Sequence, residues 1–382
     1  MFEFVNNRQV IFGENKVTEI PALISWYGCK KVFFVFTKFV NAWSSIVKSL
    51  EDKGLEVVLY EDVIEEPDLH VINGGRDIYV KEGCDCTLAL GGGSVIDAAK
   101  AINMLAANGG NVEEYQMDGK QVTKAPALFI AVPTTSGSGA EATRTSVVIN
   151  NHNGLKKSLY HPTMIADIVI LDPGLTLSLP SNITAATGMD ALSHAIESYV
   201  SLNASHFSEM YGLKAIELVN SHFTDVIQNP GDINARGGMM LASYLGGCAI
   251  TAGIGIAHIM AQPLGALFKI PHGDACSILL PAAMELNMEY AAEKYAKIAQ
   301  ALNVYCSSAS PEENGYKAIE RVREIRRQTG APESLVPYIK DKEPQAAELL
   351  DFVKRTTGHI KCNPRPVDDD LILEIYKMCL KS

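Results

Sequence analysis

Short apolar runs alternate with helical segments over the first part of the chain, and this alternation restricts the fold more than any other feature. Strands are predicted at residues 31–36, 55–60, 87–90 and 127–132, and a helix at residues 40–50. Continuous apolar strands that are separated by helices are typical of a parallel sheet covered by helices. The sequence therefore predicts an α/β domain at the N-terminus, with a hairpin turn at residues 150–154.

The pattern changes after Asp172-Pro173-Gly174. Residues 179–182 resemble a linker that ends in a helix cap, and from there to residue 382 nearly every segment has helical periodicity. We therefore divide the chain into an α/β domain at residues 1–178 and an all-helical domain at residues 179–382. A chain of 382 residues with 47% hydrophobic residues can bury a core in each.

Composition and charge exclude several classes of protein. The formal net charge of −11 disfavours a nucleic-acid or anionic-membrane surface. The N-terminus does not resemble a signal peptide, and the apolar runs are too short or too interrupted to span a bilayer. The eight cysteines are scattered, so reduced core thiols are expected. We expect a soluble cytoplasmic protein.

A possible metal site begins in the segment 188–197, which is predicted to be helical. Asp190 and His194 are separated by four residues, so they lie one turn apart on the same helix face. His258 lies in an apolar run, and His272 lies beside a predicted turn. A salt-bridged pair and two hydrogen-bonded core histidines are the simpler interpretation. As a set, three imidazoles and one carboxylate suit Fe²⁺ or Zn²⁺ and leave room for a substrate oxygen.

Two polar loops follow predicted strands. Gly91-Gly92-Gly93-Ser94 leads from a strand into a helix, where Ser94 can act as the cap and free N–H groups can bind a phosphate. Asp97 and Lys100 on this helix are predicted to form a surface ion pair. The segment 133–141 is the second loop, rich in Thr, Ser and Gly. The glycines alone are equally compatible with a tight turn, and the usual Gly-x-Gly-x-x-Gly fingerprint is absent.

The segments GGGSVIDAAK, PTTSGSGAEAT, GMDALSHAIESYVS and GIAHIMAQPLGALFKIPHG, in this order, resemble the iron-containing (group III) alcohol dehydrogenases. The resemblance implies the dehydroquinate-synthase-like fold and a homo-oligomer. It implies a metal bound by Asp190, His194, His258 and His272, and a bound NAD(H) or NADP(H). The residues that it implies for the cofactor are Gly92, Gly93 and Ser94 at the pyrophosphate, Thr134, Thr135 and Ser138 towards the nicotinamide, and Lys156 at the nicotinamide ribose. A solvated charged hairpin is the alternative for Lys156.

Three positions depart from the pattern of relatives. Gln262 stands where relatives commonly carry a histidine, so a proton relay through that position is in doubt. Lys38 stands where many NAD-preferring relatives carry an acidic residue, which favours NADP(H), unless Asp68 binds the ribose. Arg144 follows the second polar loop and could bind a distal carboxylate of the substrate. The alternative for Arg144 is a surface ion pair with Glu141.

The sequence therefore predicts hydride transfer between a nicotinamide and a small primary alcohol or aldehyde that the metal polarises. A metal- and NAD-dependent lyase on the dehydroquinate-synthase-like fold is one alternative. A non-catalytic binder of metal or nucleotide is the other.

Overall fold

The structure is a computed structural model that describes residues 3–63, 66–116, 118–152, 155–339, 346–355 and 361–380. Two compact units divide the chain at the step from Ser178 to Leu179. The α/β unit consists of residues 5–135 and 139–178. The helical unit consists of the described residues from Leu179 onward, residues 136–138 and the short segment before Val5.

Six parallel strands form the sheet of the α/β unit, in the order β1-β8-β5-β4-β2-β3. They are β1 (Gln9–Phe12), β2 (Lys31–Phe36), β3 (Glu56–Tyr60), β4 (Cys86–Gly91), β5 (Leu128–Pro133) and β8 (Ile168–Leu171). The hairpin predicted around residue 150 is present as β6 (Thr145–Asn150) and β7 (Leu155–Tyr160), which pair antiparallel. The helices are α1 (Ile20–Trp26), α2 (Ala42–Glu51), α3 (Leu69–Glu82), α4 (Gly93–Asn108) and α5 (Val112–Gln116).

The strand order reverses between β2 and β4. The chain moves from β2 outward to β3 and then returns to β4 on the other side of β2. Phe36 lies opposite Leu90 in the register, and the N–H of Thr37 donates to the carbonyl of Leu90 at 3.1 Å. Ligands of open parallel sheets bind outside the carboxyl ends of the strands at such a switch point. The segments after β2 and β4 therefore occupy the position expected for a dinucleotide.

The predicted surface pair of Asp97 and Lys100 is wrong, because both residues are buried. The Lys100 side chain has no exposed surface, and its ammonium lies 3.6 Å from Asp97. Lys100 Nζ also donates to Thr143 Oγ1 at 2.9 Å and to the carbonyl of Thr145 at 2.7 Å. An i,i+3 pair can face the core as well as water, and here α4 packs between the sheet and the strand β6. The pair therefore anchors the chain segment that leads into β6.

Glu141 lies in the same buried polar region. Burial raises the pKa of its carboxyl group to about 7, although the charge of Lys100 opposes this. Because the pKa in the folded protein exceeds its ordinary value of 4.5, the folded state binds this proton more tightly than the unfolded state. The free energy of unfolding therefore falls by up to about 3 kcal/mol as pH rises from below 4.5 through about 7.

We expect Glu141→Gln to remove this dependence. The variant should be more stable than wild type at pH 8 by up to about 3 kcal/mol, and the difference should shrink towards pH 5. Denaturant unfolding at pH 5 to 8 measures both. The exposed Glu51→Gln is the matched control and should follow wild type at every pH. If the free energy of unfolding of Glu141→Gln differs from that of wild type by the same amount at pH 5 and pH 8, the raised pKa of Glu141 is contradicted.

The described part of the helical unit contains α-helices and a short 3₁₀ turn at residues 250–252. They are α6 (Ser181–Val200), α7 (His206–Gln228), α8 (Ile233–Ala249), α9 (Ile256–Phe268), α10 (His272–Ala301), α11 (Pro311–Thr329), α12 (Val336–Ile339), α13 (Ala346–Arg355) and α14 (Asp369–Cys379). The predicted side-chain cap before α6 is not formed, because Pro180 occupies the N-cap position. Helix α10 is kinked at Ala291, whose φ is −143°.

Two apolar clusters stabilise the helical unit. One joins α6, α7, α8, α10 and α11, and the other joins α9, α10 and the helices after residue 335. No single helix in the described ranges is long and apolar enough to cross a membrane. Residues 233–252 and 256–268 pass that test only as a pair, and the pair is bent by 105°.

Candidate metal centre

One face of α6 carries the first acidic and imidazole groups of the site. Asp190 and His194 are both 6% exposed, and Glu197 is 4% exposed. Positions i, i+4 and i+7 of a helix lie on one face, so the three ionisable side chains form one buried stripe of α6. Burial of three ionisable groups on one stripe is costly unless partners compensate for it.

The histidines of α9 and α10 complete the cluster. His258 lies in the first turn of α9 and is 1% exposed, and His272 is the first residue of α10. Gly273 allows this approach, because a Cβ atom there would lie 2.1 Å from the carbonyl oxygen of Ala186 on α6. Only glycine permits such close packing of α10 on α6. The sequence thereby places His272 beside Asp190.

The imidazoles of His194, His258 and His272 all direct Nε2 towards one carboxylate oxygen. Their Nε2 atoms lie 3.8, 3.4 and 3.6 Å, respectively, from Asp190 Oδ1. The rings of His194 and His258 are stacked, with centroids 4.3 Å apart. The structure therefore brings together all four residues that were predicted as metal ligands.

Two atoms at the centre of this cluster have no hydrogen-bond partner among the residues that the structure describes. Asp190 Oδ1 and His258 Nε2 are both buried and unpaired. A buried carboxylate oxygen without a donor is costly, and a divalent cation among these four atoms would satisfy it. One oxygen and three imidazole nitrogens are a donor set that suits Fe²⁺ or Zn²⁺. The residues present fit a metal ion.

A hydrogen bond fixes the ring of His194 in the tautomer that a metal requires. His194 Nδ1 lies 3.4 Å from the carbonyl oxygen of Gly137, which can only accept, so Nδ1 carries the proton. Burial lowers the pKa of His194 to about 4, so the imidazole is neutral at pH 7. Burial alone would raise the pKa of Asp190, but the surrounding imidazoles hold it below its ordinary value. The site thus combines the carboxylate of Asp190 with the neutral nitrogen donor of His194.

Glu197 contacts one of the predicted metal ligands, and the sequence analysis did not single it out. Its Oε2 accepts a short hydrogen bond from His258 Nδ1, and its Oε1 accepts from the N–H of Ala257 at 2.8 Å. A carboxylate in this position orients the imidazole and leaves Nε2 free to bind a metal. The available signal was its spacing, since Glu197 follows His194 by three residues on the predicted helix.

The predicted phosphate loop follows β4 in the α/β unit. Gly92 is the N-cap residue of α4 and Gly93 its first residue, so the prediction that Ser94 caps this helix is wrong. The second loop lies beside the first, because a Cβ atom at Gly92 would be 3.3 Å from Thr135 Cγ2. The N–H of Thr134 donates to the carbonyl of Gly91 at 3.0 Å. The two loops are therefore adjacent at the carboxyl edge of the sheet.

The other predicted cofactor residues have different surroundings. Lys38 follows β2 and forms an ion pair of 2.6 Å with Glu61, and both side chains are exposed. Asp68 is the N-cap of α3, where Oδ1 accepts from Val71 N and Oδ2 from Asn151, each at 2.8 Å. Lys156 on β7 pairs with Glu66. Their contacts with a cofactor stay predictions.

The remaining predicted residues are Ser138, Arg144 and Gln262. Ser138 belongs to the short segment 136–138 of the helical unit and is half-buried. Arg144 is exposed and forms no ion pair with any residue that the structure describes, while Glu141 is buried. Gln262 is half-buried on α9, one turn after His258.

A parallel sheet with a glycine loop at its switch point, and a buried carboxylate–imidazole cluster, define a metal-dependent, dinucleotide-linked oxidoreductase. The chain belongs to the iron-containing alcohol dehydrogenase family. Residues 7–173 match the model for iron-containing alcohol dehydrogenases, and residues 184–380 match the C-terminal domain of that family. The predicted family and fold class are therefore confirmed, and the protein is an alcohol dehydrogenase or aldehyde reductase.

Individual relatives agree with this assignment. The NAD-dependent methanol dehydrogenase of Bacillus methanolicus is 31% identical, with 97% of each chain covered. A 1,3-propanediol oxidoreductase structure has a TM-score of 0.94 and 28% identity, with 100% of each chain covered. Sulfoacetaldehyde reductase from Bifidobacterium kashiwanohense, in complex with NAD⁺, has a TM-score of 0.89 and 26% identity, with 99% of this chain and 98% of that chain covered. These similarities do not support the lyase or the non-catalytic binder.

Proposed function

We propose that Asp190, His194, His258 and His272 hold a divalent metal ion, Fe²⁺ in the first instance and Zn²⁺ as the alternative. The observation that carries this proposal is the convergence of three Nε2 atoms within 3.8 Å of Asp190 Oδ1, an oxygen without a hydrogen-bond partner in the described ranges. When bound, such an ion acts as a Lewis acid towards an alcohol or carbonyl oxygen. The reaction is reduction of an aldehyde by NAD(P)H and a proton to give the alcohol and NAD(P)⁺, or its reverse.

The residues of the chain contribute positioning and charge. Asp190 supplies the one negative charge among the four ligands, so the metal and these ligands together would keep a net positive charge that favours an alkoxide over an alcohol. Glu197 and the carbonyl of Gly137 hold the rings of His258 and His194 in place before substrate binds. Preorganised groups of this kind need no rearrangement during the reaction. Gln262 lies on α9 one turn after His258, and its amide does not exchange a proton near neutral pH.

The cofactor is assigned to the carboxyl edge of the sheet in the α/β unit. Gly92, Gly93 and Ser94 offer backbone N–H groups of the first turn of α4 to the pyrophosphate. Thr134 and Thr135 extend this polar surface. Lys38 stands at the switch point, where its ammonium favours the 2′-phosphate of NADP(H), although its pair with Glu61 offsets part of that charge. A homo-oligomer remains an expectation from the resemblance.

The substrate class is a small aldehyde with a distal acidic group. The supporting observation is that the exposed guanidinium of Arg144 has no ion pair among the described residues, so it is available to a carboxylate or sulfonate. The sulfonated aldehyde in the name of one relative is a substrate of this kind.

Removal of a ligand tests the metal site. We expect His258→Ala and His272→Ala to retain only a small fraction of the wild-type metal content and to lose NAD(P)H-dependent aldehyde reduction. Glu197→Gln should keep the ligands but bind metal 10–100-fold more weakly, by the general magnitude for residues that orient a ligand. Metal analysis after equilibrium dialysis, with added Fe²⁺ or Zn²⁺, measures both effects.

The exposed Glu217→Gln on α7 is the control for a lost carboxylate in the helical unit and should bind metal as wild type does. Full metal content in both histidine variants would show that the ligand set is wrong.

A comparison of two aldehydes tests the role of Arg144. Wild type should show a higher kcat/KM for succinic semialdehyde than for butanal, because only the former carries a carboxylate. We expect Arg144→Ala to lower kcat/KM for succinic semialdehyde by about 10-fold or more, the size of one charge-assisted hydrogen bond, and to leave butanal almost unchanged. Lys53→Ala, which removes an exposed positive charge elsewhere in the same unit, is the control. A wild-type preference for butanal would refute the acidic-substrate proposal.

A further inference from the structure

A buried thiol lies against the proposed metal ligands. Cys276 follows His272 by one turn of α10, so the two side chains share a helix face. Its Sγ lies 3.7 Å from His272 Nε2, and the residue has no exposed surface. One ligand atom from each of Asp190, His258, His272 and Cys276 can be chosen so that all four lie within 4.8 Å of one another. The sulfur therefore belongs to the same cluster as the nitrogen and oxygen donors.

The spacing of these atoms matches one tetrahedral coordination sphere. For a tetrahedral zinc with ordinary bond lengths, two nitrogen or oxygen ligands lie about 3.3 Å apart, and a sulfur and a nitrogen lie about 3.6 Å apart. Asp190 Oδ1 lies 3.4 Å from His258 Nε2 and 3.6 Å from His272 Nε2, and the sulfur-to-nitrogen distance is 3.7 Å. His194 Nε2 is farther from the shared oxygen, at 3.8 Å.

The unpaired atoms provide a second observation. Within the described part of the chain, Asp190 Oδ1 and His258 Nε2 are buried and without a hydrogen-bond partner. Asp190 and His258 both belong to the group of four residues that includes Cys276. The thiol therefore stands beside atoms that a cation would satisfy. The thiol has at most one S–H group, which is a weak donor and cannot satisfy both atoms.

We propose that Cys276 Sγ is a metal ligand of this protein and that Asp190, His258, His272 and Cys276 form a second ligand set that overlaps the first. The inference rests on the proposed metal site and adds a sulfur donor to it. On binding, the S–H bond breaks, the proton passes to solvent, and the thiolate forms the bond to the metal.

The sulfur donor changes which metals the site prefers. Thiolate ligands favour Zn²⁺ and Co²⁺, whereas a set of carboxylate and imidazoles binds Fe²⁺ without help from sulfur. Loss of the thiol should therefore weaken Zn²⁺ binding at least tenfold in a chelator competition and leave Fe²⁺ binding within about twofold of wild type. The site selects between metals through the choice of His194 or Cys276 as the fourth ligand.

Cobalt spectroscopy of the full chain tests the proposal without reference to turnover. Co²⁺ added to metal-free wild type should produce the visible bands of a protein-bound ion and, in addition, a thiolate-to-cobalt charge-transfer band in the near ultraviolet. Cys276→Ala and the nearly isosteric Cys276→Ser should keep the visible bands and lose the charge-transfer band. His194→Ala should keep the charge-transfer band, because the sulfur-containing set is complete without it.

Cys379→Ala is the matched control, since Cys379 is another buried thiol of the helical unit that packs near α10. This variant should keep both the visible bands and the charge-transfer band. Thermal unfolding should show that all the variants are folded. Visible bands without a charge-transfer band in wild type, or a charge-transfer band that survives in both Cys276 variants, would overturn the proposal and leave the proposed function standing. Failure of wild type to bind Co²⁺ would overturn both.

Discussion

The helical unit is organised around a buried carboxylate oxygen that no hydrogen-bond donor satisfies in the part of the chain that the structure describes. Asp190 Oδ1 is surrounded by three imidazole nitrogens at 3.4 to 3.8 Å, and each of those nitrogens needs either a proton or a cation to interact favourably with it. Protonated imidazoles would place several positive charges in an apolar interior, which is expensive. A single divalent ion satisfies all four atoms at once. The chemistry of the family follows from this arrangement, because the same ion can polarise a substrate oxygen.

The packing of three helices makes the arrangement possible. α6 carries the acidic residue, and α9 and α10 each bring a histidine near their N-terminal ends. Close contacts of glycines with neighbouring helices fix the distances, as at Gly273 against Ala186 and at Gly188 against Phe223. An added methyl group at either position would push helices apart in a core that has little free space. Ligand geometry and core packing therefore depend on the same residues.

Much of this could be predicted from the sequence, because the signals were periodic or local. Strand β2 has the predicted bounds, and the other predicted strands are displaced by no more than one residue at either end, because continuous apolar runs mark buried parallel strands clearly. Asp190 and the three histidines that converge on its Oδ1 were predicted as one set from a helical spacing and a family resemblance. The hydrogen bond between Glu197 and His258 and the proximity of Cys276 to Asp190 join residues on different helices. Helical spacing could place each of these residues on a helix face, but it could not reveal the contacts. Asp97 and Lys100 were misassigned to the surface because an i,i+3 charge pair looks the same whether it faces water or a second layer of structure.

The most direct test of the central claim is anomalous diffraction at the iron absorption edge from crystals grown with Fe²⁺ under reducing, oxygen-free conditions. The account predicts one strong peak inside the cluster, at about 2.0–2.2 Å from Asp190 Oδ1 and from the Nε2 atoms of His194, His258 and His272. The metal-site assignment would be contradicted by a full-occupancy iron peak elsewhere in the chain, or by the absence of a peak at this cluster in crystals of active enzyme.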